Sequence, residues 1–202
     1  MRESTERALL IGGAVLGVIG IAYFASRPAA AATTPGTTPA STPLAAGMQA
    51  IQAAPGAQIT LIIPTGATFS SATLRPIGTP GSNLNPTGTS LTFTNPSDFA
   101  TVSVVWKDAS GTAVDSLIVL VPPGAILSTP VSDTTTSAAI MAQLTAAAQR
   151  NGISAVTSAV TPQAQVTGFQ SWFNAQTPYR TLTTLPTSGV LDYQTAGVLN
   201  YF

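Results

Sequence analysis

The sequence predicts an α+β protein built in several parts: an N-terminal transmembrane helix, a Pro/Thr-rich stalk, a small antiparallel β-sandwich and a small C-terminal helical module. Three observations predict this class. They are an uncharged apolar run near the N-terminus, a series of short alternating runs separated by Pro, Gly and Asn, and two stretches of helical apolar spacing near the C-terminus. We place the parts at residues 1–27, 28–56, 57–131, 132–162 and 163–202, the fourth being an Ala-rich helix with a connector.

Composition excludes several classes of function. The chain has 202 residues, seven Lys+Arg, seven Asp+Glu and no net charge, and 7% of its residues are charged, against roughly 25% in ordinary soluble domains. It has no Cys and no His, which removes disulfides, thiolate metal ligands and the usual triad base. We expect no enzyme, no cofactor, no metal and no nucleic-acid partner.

The carboxylates outside the N-terminal segment form no close pair in the sequence, which argues against a glycosidase. Each has a structural role available at a turn, a strand or a helix start. These residues are Asp98, Asp108, Asp115, Asp133 and Asp192.

The run from Ala8 to Ala25 has no charge and lies between Arg7 and Arg27. As a helix it is about 27 Å long, enough to cross the hydrocarbon of a bilayer. Its small residues make a G-x-x-x-G pattern, which either brings two helices together or reflects how common Gly is in membrane helices. Aromatic residues stand at its distal end, as at a membrane interface. The span residues are Ala8, Gly13, Gly17, Gly20, Tyr23, Phe24 and Ala25.

Basic residues set the expected orientation. Arg2 and Arg7 precede the span, whereas only Arg27 closely follows it, so the N-terminus is expected in the cytoplasm or in the interior of a particle. The rest of the chain then lies outside the cytoplasm, or between a membrane and an outer shell. Small residues at Ala29–Ala32 allow signal-peptide cleavage as the alternative, but the apolar run is longer than a usual signal core, so we expect an uncleaved single-pass anchor.

The segment that follows, residues 28–56, is dominated by Pro, Thr and Ala at its start and predicts a semi-extended stalk.

Five runs then alternate like strands: Gln58–Ile63, Ala67–Ile77, Ser90–Thr94, Thr101–Lys107 and Thr112–Val121. The turn at residues 108–111 joins the last two as a hairpin. The order of these strands resembles immunoglobulin-like or fibronectin-like modules, without the paired Cys of antibody domains. We expect Trp106 to be a core residue.

Residues 133–150 predict an alanine-rich helix, opened by Ser132 or Asp133 as a cap and closed by Asn151-Gly152. Ile140 and Leu144 give it one modest apolar stripe. A short strand or extended piece is expected at Ile153–Val160.

The last forty residues carry the most specific pattern. A helix with an apolar face is followed by a loop, a glycine turn and a second capped helix. This stretch resembles the peptidoglycan-binding-like repeat at the ends of many cell-wall enzymes, which reads V-x-x-L-Q-x-x-L-N, a loop, then D-G-x-x-G-x-x-T-x-x-A-V-x-x-F-Q. The matching positions are Val166, Phe169, Gln170, Phe173, Asn174, Gly189, Val190, Thr195, Val198 and Phe202. Ser188 stands where the family has its turn Asp, and Asp192 or Leu191 replaces its second turn Gly.

The resemblance implies a small helical module that binds wall glycan or serves only for packing. From spacing alone, Phe169, Phe173, Val198 and Phe202 should form one cluster between two helices, with Asp192 capping the second. We expect this module to fold apart from the β-domain.

Two functions from different classes remain open. The first is a non-enzymatic, membrane-anchored structural protein whose composition resembles proteins of membrane-containing bacteriophages that link an internal membrane to the capsid or vertex. The second is a bacterial envelope protein that binds peptidoglycan through its C-terminal module. Expected partners are the lipid bilayer, other structural proteins or a second copy, and peptidoglycan in the second case. An enzyme would need a partner chain to supply its catalytic groups.

Overall fold

A computed structural model describes residues 41–176 and 182–202. The predicted transmembrane helix, with all its named residues, and the first part of the predicted stalk lie outside the described residues. Within the described ranges, no helix combines the length and the apolar character needed to cross a bilayer.

The described residues contain eight strands, which form two mixed sheets. The smaller sheet has the order β1-β3-β6 and the larger one β2-β8-β7-β4-β5. The strands are β1 (Ser41–Pro43), β2 (Gly47–Gln52), β3 (Gln58–Ile62), β4 (Thr68–Pro76), β5 (Ser82–Asn83), β6 (Ser90–Thr94), β7 (Ala100–Lys107) and β8 (Ala113–Val121). The sheets are mixed because β1 runs parallel to β3 and β2 runs parallel to β8, while all other pairs are antiparallel.

The two sheets share a core formed by the inward residues of both. Alternation places Leu61 and Leu91 of the small sheet, and Val102 and Trp106 of the large one, in a single apolar cluster. The indole Nε1 of Trp106 donates to Ser116 Oγ at 2.9 Å, so the ring is buried with its polar atom paired. The expectation that Trp106 is a core residue is confirmed.

In the part of the chain that the structure describes, four helices follow the strands: α1 (Thr134–Asn151), α2 (Ser154–Thr157), α3 (Pro162–Ala175) and α4 (Tyr193–Tyr201). The predicted ends of α1 are confirmed, since the Asp133 side chain accepts from the Thr136 N–H and Gly152 closes the helix with a φ of 63°. Ile153–Val160 was expected to be extended, and this is wrong. Ser154–Thr157 is one helical turn, because buried Val156 is held beneath α3 where Gly168 lies against Ala155.

The helices cover the second face of the large sheet. Residues 116–121 of β8 are buried without interruption: Ile118 and Leu120 face the small sheet, whereas Leu117, Val119 and Val121 belong to the cluster made with the helices. The architecture is therefore three layers, with the small sheet, the large sheet and the helices in that order.

Three expectations about organisation differ from the structure. The sandwich is mixed, not wholly antiparallel. Residues 41–56 of the predicted stalk contain β1 and β2, because Leu44, Ile51 and Ala53 bury in the sandwich core. The C-terminal helices share one apolar cluster with β8, so they are not a separate module.

Candidate functional site

Gln170, in the middle of α3, fixes the glycine turn that precedes α4. Its side chain is fully buried. Its Nε2 donates to the carbonyl oxygen of Val190 at 3.1 Å and to Thr195 Oγ1 at 3.0 Å. Its Oε1 accepts from the Gly189 N–H at 3.0 Å. One side chain thus satisfies three partners in the turn and the last helix.

Asn174, one helical turn further along α3, fixes the chain at Leu185, ahead of the glycine turn. Its Nδ2 donates to the Leu185 carbonyl oxygen at 2.7 Å, and its Oδ1 accepts from the Leu185 N–H at 2.9 Å. Because Gln170 and Asn174 are four residues apart, they lie on one face of α3. Together they hold the segment before α4 at Leu185 and at the glycine turn.

Gly189 has a φ of 73°, which suits glycine. A Cβ there would stand 2.6 Å from Gln163 Cγ and 2.7 Å from Thr167 Oγ1. The turn therefore needs glycine both for its backbone angle and for its close approach to α3.

The cap of α4 follows the sequence prediction. Asp192 is buried, and its Oδ1 accepts from the Thr195 N–H at 2.7 Å. Thr195 is buried as well and meets Gln170 through its hydroxyl.

The apolar residues of the predicted site come together, in a larger cluster than the sequence indicated. Val166, Phe169, Phe173 and Val198 are buried there, with Phe202 packed against the cluster. The ring centroids of Phe173 and Phe202 lie 6.1 Å apart in an edge-on arrangement. Sheet residues complete the cluster, among them Phe99, Leu117 and Val119.

Asn200, which the sequence pattern did not single out, ties α4 to the large sheet. Its Nδ2 donates to the Arg75 carbonyl oxygen at 2.8 Å and to Thr101 Oγ1 at 2.9 Å. The guanidinium of Arg75 donates back to the Tyr201 carbonyl oxygen at 2.9 Å. The available signal was a polar residue beside Leu199 within an apolar helix face, which indicates a buried hydrogen-bonding role.

A shallow groove of about 450 Å³ runs between α2 and α3, beside the glycine turn. Its lining combines small residues with hydroxyl and amide side chains and has no charge. The lining residues are Ala155, Thr161, Gln163, Ala164, Thr167 and Gly168. Val160, which is 96% exposed, directly precedes this lining.

Hydrogen bonds and burial shift the pKa values of Asp108, Asp133 and Tyr193. Hydrogen bonds from Ser110 and Thr112 hold the pKa of Asp108 below its ordinary value, and the Thr136 N–H does the same for the pKa of Asp133. Burial raises the pKa of the Tyr193 hydroxyl. The described ranges hold no group of three or more His, Cys, Asp or Glu side chains arranged for a metal ion. The groove between α2 and α3 therefore offers an uncharged surface.

No protein-family model matches this chain, and the curated proteins include no significant match to its sequence. The peptidoglycan-binding-like pattern consequently rests on the residues quoted above.

Proposed function

We propose that this protein is a non-enzymatic, membrane-anchored structural protein. The non-enzymatic, structural part of the proposal is carried by the use of the polar side chains in α3, in α4 and in the turn before α4. Gln170, Asn174, Asp192, Thr195 and Asn200 all bond to groups of their own chain. Polar groups occupied in this way stabilise a rigid unit and are not held free for a substrate.

The surrounding surface supports the same proposal. The groove beside the glycine turn is uncharged, and the whole chain has 7% charged residues. Few charges weaken long-range steering of ions or charged substrates. A neutral surface rich in hydroxyls and amides suits permanent contact with neighbouring subunits, as in a virion where such a protein links an internal membrane to the capsid or vertex.

The anchor is tested by placing a charge at the centre of the apolar run. Leu16→Arg in the full-length chain should move the protein from the membrane pellet to the supernatant, because a charge at the bilayer centre is costly. Leu16→Phe is the matched control and should stay in the membrane. A wild-type chain that leaves the membrane without detergent would contradict the proposal.

The structural role is tested by what accompanies the protein. Full-length protein extracted in mild detergent should copurify with other particle or envelope proteins in fixed ratio. Recovery of the chain alone, from particles or membranes that contain it, would contradict an assembly role.

The second candidate function is binding of a neutral glycan, and the groove between α2 and α3 favours it. Gln163 and Thr167 supply amide and hydroxyl groups without charge there. Ala164→Asp places a carboxylate in this groove, whereas Ala138→Asp places one on an exposed face of α1 as the control. If glycan binding is the function, only Ala164→Asp should reduce sedimentation with purified peptidoglycan. Equal sedimentation of both variants and the wild type would exclude the groove as the site of glycan binding.

A further inference from the structure

The four edges of the two sheets differ in how they are protected. β1 has three residues and includes Pro43, and β5 has two residues. The edge of β2 is covered where the Met48 N–H donates to the Leu182 carbonyl oxygen at 3.1 Å. β6 (Ser90–Thr94) has five residues without Pro, charge or bulge. Within the described ranges, β6 is the long edge that lacks the usual devices against strand pairing.

The pairing of β6 with β3 shows which of its backbone groups face outward. The Asn95 N–H donates to the Ala57 carbonyl oxygen, and the Ile63 N–H donates to the Thr89 carbonyl oxygen. Hydrogen-bonded positions alternate along an antiparallel pair, so Leu91 and Phe93 bond to β3. The N–H and C=O groups of Ser90, Thr92 and Thr94 therefore point away from β3.

Only part of this outward edge is occupied within the described residues. Thr87 bonds to Ser90 in both directions, at 2.8 and 3.1 Å, and closes the edge there. The outward groups of Thr92 and Thr94 have no such neighbour among the described residues, and both residues are exposed.

We propose that β6 pairs with β6 of a second copy of this chain, antiparallel, about a two-fold axis at Phe93. In this register Thr92 lies opposite Thr94 of the second copy, and Thr94 lies opposite Thr92. Each pair exchanges two hydrogen bonds, so the four outward N–H and C=O groups on each copy are satisfied. The two small sheets become one sheet of six strands.

A second copy is the occupant because the edge is complementary to itself. The register brings Thr against Thr, a favourable cross-strand pair, and brings no like charges together. Because Thr87 occupies the outward groups of Ser90, the pairing is limited to Thr92 and Thr94. One such edge on each copy gives a closed dimer. The inference rests on the proposed function, since anchoring in one membrane supplies the concentration that a short strand pair needs.

Charge variants test the register in full-length protein held in detergent micelles. T92K/T94K places like charges across both pairs and should weaken the dimer about tenfold or more in sedimentation equilibrium. T92K/T94E places opposite charges across the same pairs and should restore it. Q58K/T60K, on the central strand of the same face, is the matched control and should dimerise like the wild type. A monomeric wild type, or a dimer unaffected by T92K/T94K, would overturn the proposal.

Cross-linking gives a second measurement, because the natural chain has no Cys. T92C/T94C should form a disulfide-linked dimer on mild oxidation in the membrane, whereas Q58C/T60C should not. Equal cross-linking of both variants, or of neither, would contradict the register. A chain that stays in the membrane as a monomer overturns the pairing alone. A chain that cross-links through T92C/T94C but is not membrane-bound overturns the anchoring proposal alone.

Discussion

At the scale of single residues, the polar side chains of the C-terminal pattern bond within the chain, mostly to backbone groups. Gln170 and Asn174 lie on α3, yet their partners lie in the loop and turn before α4. The sequence could place these residues on a helix by their spacing with Phe169 and Phe173. It could not identify their partners, because those bonds span 11 to 25 residues through a loop of irregular conformation. The cap at Asp192 was predictable because its bond is local.

Replacing Gln170 should lower the free energy of unfolding. Gln170→Ala leaves the Gly189 N–H, the Val190 carbonyl and the Thr195 hydroxyl without their partner, and we expect a loss of about 2–4 kcal/mol in urea unfolding. Gln170→Glu is the isosteric comparison. Burial raises the pKa of the new carboxyl, and only its protonated form can donate. Its stability should therefore fall as pH rises from 5 to 8. A flat pH profile for Gln170→Glu would show that this side chain is not buried.

Asp133 predicts an acid-sensitive helix start. The Thr136 N–H holds the pKa of this carboxyl below its ordinary value of 3.8. A depressed pKa stabilises the folded state above that value, and the contribution is lost as pH falls through the folded pKa. Asp133→Ala should lower the Tm at pH 7. The difference in Tm between this variant and the wild type should become smaller as the pH is lowered. A difference in Tm that stays constant on acidification would contradict this role of Asp133.

At the scale of elements, alternation located β3, β4, β6, β7 and β8 to within one residue at each end, and it missed β5, which has only two residues. The strands before them were missed because Pro, Thr and Ala dominate the segment, and their burial depends on partners far along the chain. The burial of β8 on both faces is indicated by the sequence itself. Leu117–Val121 is an uninterrupted apolar run of the kind found in strands that are covered on both sides. The short helix α2 carries no periodic signal of its own, because one turn is too short to show one.

The contact between α4 and β8 depends on Gly197. A Cβ at this position would stand 2.5 Å from Val119 Cγ2. Gly197→Ala should therefore destabilise the fold by about 1–3 kcal/mol, although alanine is the better helix former. Val119→Ala removes the opposing methyl groups, so the double variant should be less destabilised than the sum of the two single variants. Additive effects in a double-mutant cycle would show that the helix does not lie this close to the strand.

At the scale of the whole molecule, β8 joins two cores that the sequence suggested were separate. Phe173 is buried in the same cluster as Leu117 and Val119, while Ile118 and Leu120 belong to the sandwich core. Spacing within α3 and α4 could predict an apolar face on each helix. It could not indicate that the faces pack on a strand more than 40 residues away, because apolar periodicity does not specify a partner.

Phe173→Asp tests this shared core. A buried unpaired carboxylate costs several kcal/mol, comparable to the stability of a small domain, and we expect it to unfold the sheets together with the helices. In a Trp172→Phe background, the fluorescence of Trp106 reports on the sandwich and circular dichroism at 222 nm reports on the helices. Both signals should be lost together, whereas the exposed control Ser171→Asp should retain both. Loss of the helical signal alone would show that the helices fold independently.

The bond from Asn200 to Thr101 has a consequence for how the chain is made. These residues are 99 positions apart, so the strands are synthesised well before the helix that covers them. Until α4 has emerged from the ribosome, Phe99, Leu117 and Val119 lack part of their covering on the growing chain. Such a surface attracts chaperones and promotes aggregation. Ribosomes stalled before residue 193 should hold a nascent chain that chaperones bind. When the stall is placed far enough beyond residue 202 for α4 to clear the exit tunnel, the chaperones should be released from the nascent chain.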